Sequence, residues 1–178
     1  RAAGVLRRVV AVECNQAGKG VTLEGLELNA KIAFGDFIDE GLLSNFGIDA
    51  NYTYSPSEGS QDDIFGKKNP FADNSETQYN LVGWYEQSGI SARIAYNYRS
   101  ERLDAVSAGA GGLLNVFQAP TSYIDASLSY DVTDEVTLFL NGTNITGEFE
   151  EYYYADTSQK AYENFYEARY TLGARARF

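Results

Sequence analysis

Residues 79–102 have the sequence YNLVGWYEQSGISARIAYNYRSER, and this stretch decides the fold class. After the pair Ser88-Gly89, apolar and polar side chains alternate from Ile90 to Arg99. Alternation with a period of two is typical of a β-strand that has one apolar face. The residues before the pair alternate in the same way, and Ser-Gly favours a tight turn, so the stretch predicts a β-hairpin.

The same alternation continues through the rest of the chain and predicts about eight strands. The first, at residues 5–15, alternates less cleanly, and the others are expected at 25–34, 47–55, 77–86, 90–99, 123–132, 135–145 and 167–178. Their connections alternate in length. Ser88-Gly89, Thr133-Asp134 and residues 35–45 form a short side, whereas the long polar loops 56–76, 101–121 and 150–165, together with 16–20, form the other.

This alternation of short turns and long loops predicts an all-β protein, a transmembrane antiparallel β-barrel. Tyrosines such as Tyr52, Tyr54, Tyr96 and Tyr98 cluster near strand ends, as aromatic residues do at membrane interfaces. The other face carries many charges, which must meet a wet interior because Arg or Lys on a lipid face costs about 2–4 kcal/mol at mid-membrane. A soluble β-sandwich is the alternative, but it requires no sidedness of its loops.

Composition removes several functional classes. The chain has 178 residues with 14 Lys and Arg against 25 Asp and Glu, a net charge of −11, which argues against nucleic-acid binding. It has no His and one Cys, Cys14, so His-dependent catalysis, His metal sites and internal disulfides are excluded. We expect neither an enzyme nor a cofactor or metal. The acid clusters at Asp62-Asp63 and residues 148–151 are solvated loops or weak divalent-ion contacts to lipopolysaccharide.

Five segments resemble the C-terminal end of a TonB-dependent receptor from a Gram-negative outer membrane. They are GLELNAKIAF (25–34), FGIDANYTYS (46–55), YNLVGWYEQSGISARIAYNYRSER (79–102), YIDASLSYDVTDEVTLFLNGTNITGE (123–148) and ARYTLGARARF (168–178). The resemblance covers most of the chain, in the order that the family uses. It is closest to the large proteobacterial subgroup often tied to oligosaccharide uptake.

The resemblance implies a plugged barrel of the 22-stranded kind. Residues 1–178 would then be the C-terminal portion of one transmembrane barrel domain, about its last eight strands, and the plug domain and TonB box would lie outside this chain. The implied function is energised uptake of a scarce nutrient, an oligosaccharide or a metal chelate. The implied partners are outer-membrane lipid and lipopolysaccharide, the TonB energy complex through the missing N-terminal part, the small-molecule solute and the barrel-assembly machinery.

The last residues, TLGARARF (171–178), are similar to the C-terminal signal that the assembly machinery recognises in outer-membrane barrels. The pattern needs a polar residue, a glycine two places later, and apolar residues at the third-last and last places. These places are filled by Thr171, Gly173, Ala176 and Phe178, with Ala176 a weak apolar choice.

The implied solute contacts are polar side chains near the outer rim of the lumen and aromatic rings in the outer loops. Arg99 and Asn97 lie near the outer end of their strand, and Asn80 and Gln78 lie across the neighbouring loop. Phe117 and the run Tyr152, Tyr153, Tyr154 are candidates to stack on a sugar ring. For any one of these residues, a lumen ion pair or an interfacial tyrosine is the simpler interpretation.

Two alternatives stay open at this stage. A complete eight-stranded barrel with a structural or adhesive role requires residues 5–15 to pair with residues 169–178. A secreted β-sandwich that binds carbohydrate requires solubility without detergent.

Overall fold

The computed structural model describes residues 5–9, 12–14, 21–23, 25–109 and 112–177, and it consists mainly of antiparallel β-strands. Eight strands form one sheet, here called the membrane sheet. In the order in which they pair, they are β1 (Val5–Val9), β4 (Leu26–Ala33), β5 (Phe46–Tyr54), β7 (Thr77–Gln87), β8 (Ile90–Arg99), β11 (Thr121–Asp131), β12 (Val136–Thr143) and β15 (Arg169–Ala176). The all-β prediction is therefore confirmed.

Pairing across the membrane sheet collects the apolar side chains of all strands on one face. One row runs Ala30, Ala50, Leu81, Tyr96 and Ile124 across five successive strands. Large side chains of this face, such as Ile94 and Leu172, are exposed. An apolar surface of this extent needs an apolar medium against it, and lipid supplies one.

Aromatic rings lie at both ends of this apolar face. At the end of the long connections, Tyr79 stacks on Tyr98 with the ring centroids 4.7 Å apart. At the end of the short connections, the rings of Phe46 and Tyr85 are also 4.7 Å apart. These are the two levels at which membrane barrels place their aromatic residues.

The short connections lie together at one end of the sheet. The turn at Gly89 meets the end of β11, where the Asp131 N–H donates to the Gly89 carbonyl over 2.9 Å. The connection from β4 to β5 ends at the same level and contains two 3₁₀ turns, Phe34–Asp36 and Leu42–Asn45. The sidedness predicted from loop lengths is thus present in the structure.

The long connections differ from the prediction, because each of the three contains a strand. Residues 56–76 contain only the two-residue β6 (Ser57–Glu58), and the other two connections contain longer strands. Within the expected loops 101–121 and 150–165 lie β9 (Arg102–Gly109), β10 (Gly112–Gln118), β13 (Glu150–Tyr154) and β14 (Lys160–Asn164). They form a second sheet, here called the outer sheet, in the order β14-β13-β10-β9. Leu103, Phe117 and Tyr153 form its core, with Ala119 packed against them.

The start of the chain also differs from the prediction of one strand at residues 5–15. The first strand ends at Val9, and β2 (Val12–Cys14) belongs to a small third sheet with β3 (Val21–Leu23) and β6 (Ser57–Glu58).

The membrane sheet is open in the part of the chain that the structure describes. β1 pairs only with β4, and β15 only with β12, so these two strands are its edges. A complete eight-stranded barrel requires β1 and β15 to pair, and this pairing is not found. No helix within the described ranges is long and apolar enough to cross a membrane.

Candidate functional site

The four polar residues predicted to contact solute lie side by side on the polar face of the membrane sheet. The register of the hairpin pairs Gln78 with Arg99, and Asn80 with Asn97. Both pairs occupy the half of the sheet next to the long connections. The tight turn at Ser88 and Gly89 sets this register, which is why sequence reasoning could place the four residues together.

The asparagine pair is part of a longer row that sequence reasoning missed. Asn80 pairs with Asn51, and Asn51 with Asn29, so four asparagines face the same side on four adjacent strands. The Asn51 amide donates to Asn29 Oδ1 over 2.5 Å and to Glu27 Oε1 over 3.2 Å. The available signal was an asparagine on the polar side of each strand. The register between β4 and β5 cannot be obtained from the sequence, because residues 34–45, which join them, do not form a tight turn.

Two shallow hollows lie on this polar face and share one arginine. The first, of about 270 Å³, is lined by Asn29, Lys31, Asp49, Asn51, Asn80 and Arg93 among others. The second, of about 290 Å³, lies on the other side of Arg93 and includes Asp125, Ser127, Asn141 and Thr143. Amides and hydroxyls both donate and accept hydrogen bonds, and a guanidinium binds carboxylates or phosphates. The surface therefore suits a polar solute.

Arg99 is held from the outer side by the segment that precedes β7. Its guanidinium donates to the Asp73 carbonyl over 3.0 Å and lies 3.8 Å from the Asp73 carboxylate. The same carboxylate lies 2.8 Å from Nε of Arg102. The Asp73 N–H donates in turn to the Leu103 carbonyl over 2.7 Å, which ties this segment to the outer sheet. Arg99 is thus partly engaged, whereas Asn80 is exposed on the polar face.

Three of the four predicted aromatic residues form the interior of the outer sheet. Phe117 stacks on Tyr153 with the centroids 5.8 Å apart, and Tyr152 stacks on Tyr162 at 4.3 Å. Phe117, Tyr152 and Tyr153 are buried, and only Tyr154, at 38%, exposes a substantial part of its ring. Their contact with a solute stays a prediction, and as the strands stand Tyr154 is the ring best placed for it.

The buried tyrosine hydroxyls are paired with carboxylates. Tyr153 donates to Glu101, and Tyr152 donates to Glu150 over 2.9 Å. Burial, followed by these hydrogen bonds and the charges of the acids, raises the pKa of both phenols above the usual value. Both rings therefore stay neutral and fasten the outer sheet to its acidic neighbours.

The acid clusters have structural partners of their own. Asp63 Oδ1 accepts the backbone N–H groups of Phe65 and Lys67 over 2.9 and 2.8 Å, and Glu148 accepts the Ser122 N–H over 2.8 Å. Within the described ranges, no group of three or more Cys, Asp or Glu side chains is placed to hold a metal ion.

The proposed assembly signal lies in the last strand, β15. Thr171 pairs with Asn141 and Gly173 with Phe139 on the polar face, and Ala176 pairs with Val136 on the apolar face. Gly173 has a local reason, because the Phe139 ring occupies the space that a Cβ atom would need. Phe178 lies outside the described residues.

Comparison with known proteins agrees with this architecture. Residues 8–145, more than three quarters of the chain, match the family model described as TonB dependent receptor-like, beta-barrel. Neither a curated protein nor a solved structure matches the chain. A membrane sheet with an apolar outer face, a polar inner face and sided connections is what such a barrel requires. The chain therefore belongs to the TonB-dependent receptor-like β-barrel family, and its function is TonB-dependent transport across the outer membrane.

Proposed function

We propose that this chain is the solute-facing wall of a receptor that takes up a scarce polar nutrient, an oligosaccharide or a metal chelate, through a multi-pass barrel in the Gram-negative outer membrane. The observation that supports it best is the pair of rows formed by Gln78 with Arg99 and by Asn80 with Asn97 on the polar face. They lie at the end of the long connections, where a solute from outside arrives first.

The asparagine row supports a hydroxylated solute over an apolar one. An amide side chain has two hydrogen-bond donors and an acceptor. A sugar hydroxyl can accept from such a donor and donate to such an acceptor. Asn51 and Asn29 already bond to each other, which leaves Asn80 and Asn97 as the more available amides. Arg93, between the two hollows, supplies a cation for an acidic group on the solute or on a metal chelate.

In this proposal the chain is not an enzyme. The lumen wall binds the solute by hydrogen bonds and charge, and no covalent bond of the solute changes. The energy for transport comes from the TonB complex, which acts on the N-terminal part of the intact receptor. The solute recovered from the periplasm should therefore have the same mass as the solute supplied.

Uptake by whole cells that carry the intact receptor tests the proposal. A panel of oligosaccharides and ferric chelates is supplied at limiting concentration, to cells with and without TonB, and disappearance of each compound is followed. We expect at least one compound to be taken up only when TonB is present. Replacing both Asn80 and Asn97 with Ala should weaken that uptake, whereas Ser91→Ala with Ser129→Ala, on the same face near the short turns, should not.

Two results would contradict the proposal. One is that no compound of the panel is taken up faster by cells with TonB than by cells without it. The other is equal uptake by the asparagine double variant and the parent receptor at every concentration.

A further inference from the structure

The connection between β4 and β5, residues 34–45, presents large apolar side chains to its surroundings. Phe37, Leu42 and Leu43 are 64%, 63% and 58% exposed, and Ile38 is also exposed. The other short connections, at Ser88-Gly89 and at Thr133-Asp134, are small and polar. Four large apolar side chains within seven residues form a patch, and such patches mark contact surfaces.

The patch is held by an ordered backbone. The N–H groups of Phe37 and Ile38 both donate to the Phe34 carbonyl, over 3.0 and 2.9 Å. The Ser44 hydroxyl donates to the Gly41 carbonyl over 2.7 Å. The two 3₁₀ turns touch at Gly35, where a Cβ atom would come within 2.8 Å of the Ser44 carbonyl oxygen. The apolar side chains are therefore presented by a defined structure.

The patch adjoins the end of the apolar face along the chain. Residues 34–45 lead directly into Phe46, whose ring packs against Tyr85 at the end of the apolar face. Apolar residues thus continue along the chain past the last paired residues of the membrane sheet, beyond the aromatic rings at the end of the short connections. Amphipathic segments in this position bury their apolar side chains at the boundary between headgroups and acyl chains.

The charges of the segment indicate what kind of lipid surface it fits. Asp36, Asp39 and Glu40 are all exposed, and residues 34–45 contain no Lys or Arg. An anionic lipid surface would repel these three carboxylates, whereas a zwitterionic one would not. From this patch, its order and its charges, we infer that residues 34–45 are an interfacial anchor, which inserts Phe37, Leu42 and Leu43 into a zwitterionic phospholipid leaflet at the short-turn end of the barrel.

Depth-dependent quenching tests this anchor in the intact receptor. Phe37→Cys, made in a receptor in which Cys14 is replaced with Ser, carries the fluorophore, and the protein is reconstituted in zwitterionic phosphatidylcholine vesicles whose acyl chains are brominated. We expect loss of most of the label's fluorescence relative to non-brominated vesicles. The matched control is Asp134→Cys, which is exposed in a polar turn at the same end of the sheet and should show no loss. Adding anionic phosphatidylglycerol should reduce the quenching at position 37.

A second variant separates anchoring from folding. Leu42→Ser combined with Leu43→Ser should remove the quenching at position 37 while the barrel keeps its heat-dependent mobility in gels. Equal quenching at positions 37 and 134, or none at 37 in a folded barrel, would overturn the inference, and the second result would point to a protein partner for this patch. Neither result depends on the solute, so uptake can succeed while the anchor fails.

Discussion

The membrane sheet and the outer sheet place their apolar side chains on opposite sides. In the membrane sheet the large apolar residues lie on the outward face, and the polar residues lie on the opposite face, which contains the two hollows. In the outer sheet, Leu103, Phe117, Tyr152 and Tyr153 are packed inside. Among the buried apolar residues that the structure describes, only Val82 belongs to the membrane sheet. The surrounding medium determines where the apolar side chains of a sheet lie. Lipid stabilises them on the outside of the membrane sheet, whereas the hydrophobic effect in water favours their burial in the outer sheet.

The largest effect should come from a charge on the lipid face. Leu172→Arg puts a cation in the middle of β15, opposite Leu140, and should destabilise the barrel by about 2–4 kcal/mol. The amount of folded receptor in the outer membrane, measured by heat-dependent gel mobility, should fall sharply. Asn141→Arg, which lies on the polar face of the neighbouring strand β12 and outside the assembly signal, is the matched control and should assemble. Normal assembly of Leu172→Arg would mean that the two faces of β15 are assigned the wrong way round.

Overpacking on the polar face should have the next largest effect. The Trp84 ring lies over Gly47, in the space that a Cβ atom would occupy, and Trp84 Nε1 donates to Asp49 over 3.4 Å. Gly47→Ala must displace this ring and should cost about 1–3 kcal/mol in chemical unfolding of the reconstituted barrel. Gly83→Ala is the control, because its Cβ would make only an ordinary 3.6 Å contact with Ile94. If both variants unfold at the same denaturant concentration, Trp84 does not pack over Gly47.

Loss of a buried hydroxyl should affect the outer sheet alone. Tyr153→Phe removes the hydrogen bond to Glu101 and should cost about 1 kcal/mol. Hydrogen exchange of residues 150–164 should become faster, while exchange in the membrane strands stays unchanged. Tyr154→Phe, whose ring is exposed, provides the comparison and should leave both sheets as they are. A simultaneous change in both sheets would show that they unfold as one unit.

The same tyrosines predict that the outer sheet weakens at high pH. Burial and the carboxylate neighbours raise the pKa of Tyr152 and Tyr153 in the folded state. The unfolded phenol loses its proton first, near its ordinary pKa of about 10, so stability is lost as the pH rises above that value. The protection of residues 150–164, which compares their exchange rate with that of an unstructured peptide at the same pH, should fall above this pH, and replacing both tyrosines with Phe should abolish the fall. A fall in protection that persists in the double variant would assign it to other groups.

The smallest effect should come from an exposed ion pair. Lys160 Nζ lies 2.9 Å from Glu151 and 2.8 Å from Glu163, which raises the pKa of the lysine, yet its side chain is 67% exposed. Exposed ion pairs contribute little, because water screens them. Lys160→Gln, which removes the charge but keeps hydrogen-bond donors, should leave exchange in the outer sheet unchanged within error. Lys160→Met removes both the charge and the donors, and comparing the two variants separates these contributions. A loss as large as that of Tyr153→Phe would mean that this corner of the outer sheet is screened from water.

The sequence predicted the membrane sheet far better than the outer sheet. Alternation over residues 90–99 and 123–132 is strong because each strand has lipid on one side and a polar interior on the other. Residues 150–154 are Glu-Glu-Tyr-Tyr-Tyr, which do not alternate, and the glycines around residue 110 favoured a loop. The pairing of β10 with β13 joins segments more than thirty residues apart, and no pattern of neighbouring residues predicts this pairing.

The candidate site divides in the same way. Gln78, Asn80, Asn97 and Arg99 could be placed together because one tight turn sets their register. Asn29 and Asn51 could not be added to them, because residues 35–45 do not form a tight turn and leave the register of β4 against β5 open. The sequence predicts that Phe117 and Tyr153 stack on a sugar ring, and the structure packs them together in the core of the outer sheet.

The sequence by itself determined the all-β class, the apolar and polar faces of the membrane strands, the sidedness of their connections and the family. These properties are local, because the alternation of apolar and polar residues and the length of a connection each depend only on residues that are close together in the sequence. Only the tertiary structure decided the row of asparagines, the outer sheet and the apolar patch at residues 34–45. Each of these depends on which distant segments share hydrogen bonds and exclude water together, and that is settled by the packing of the whole chain.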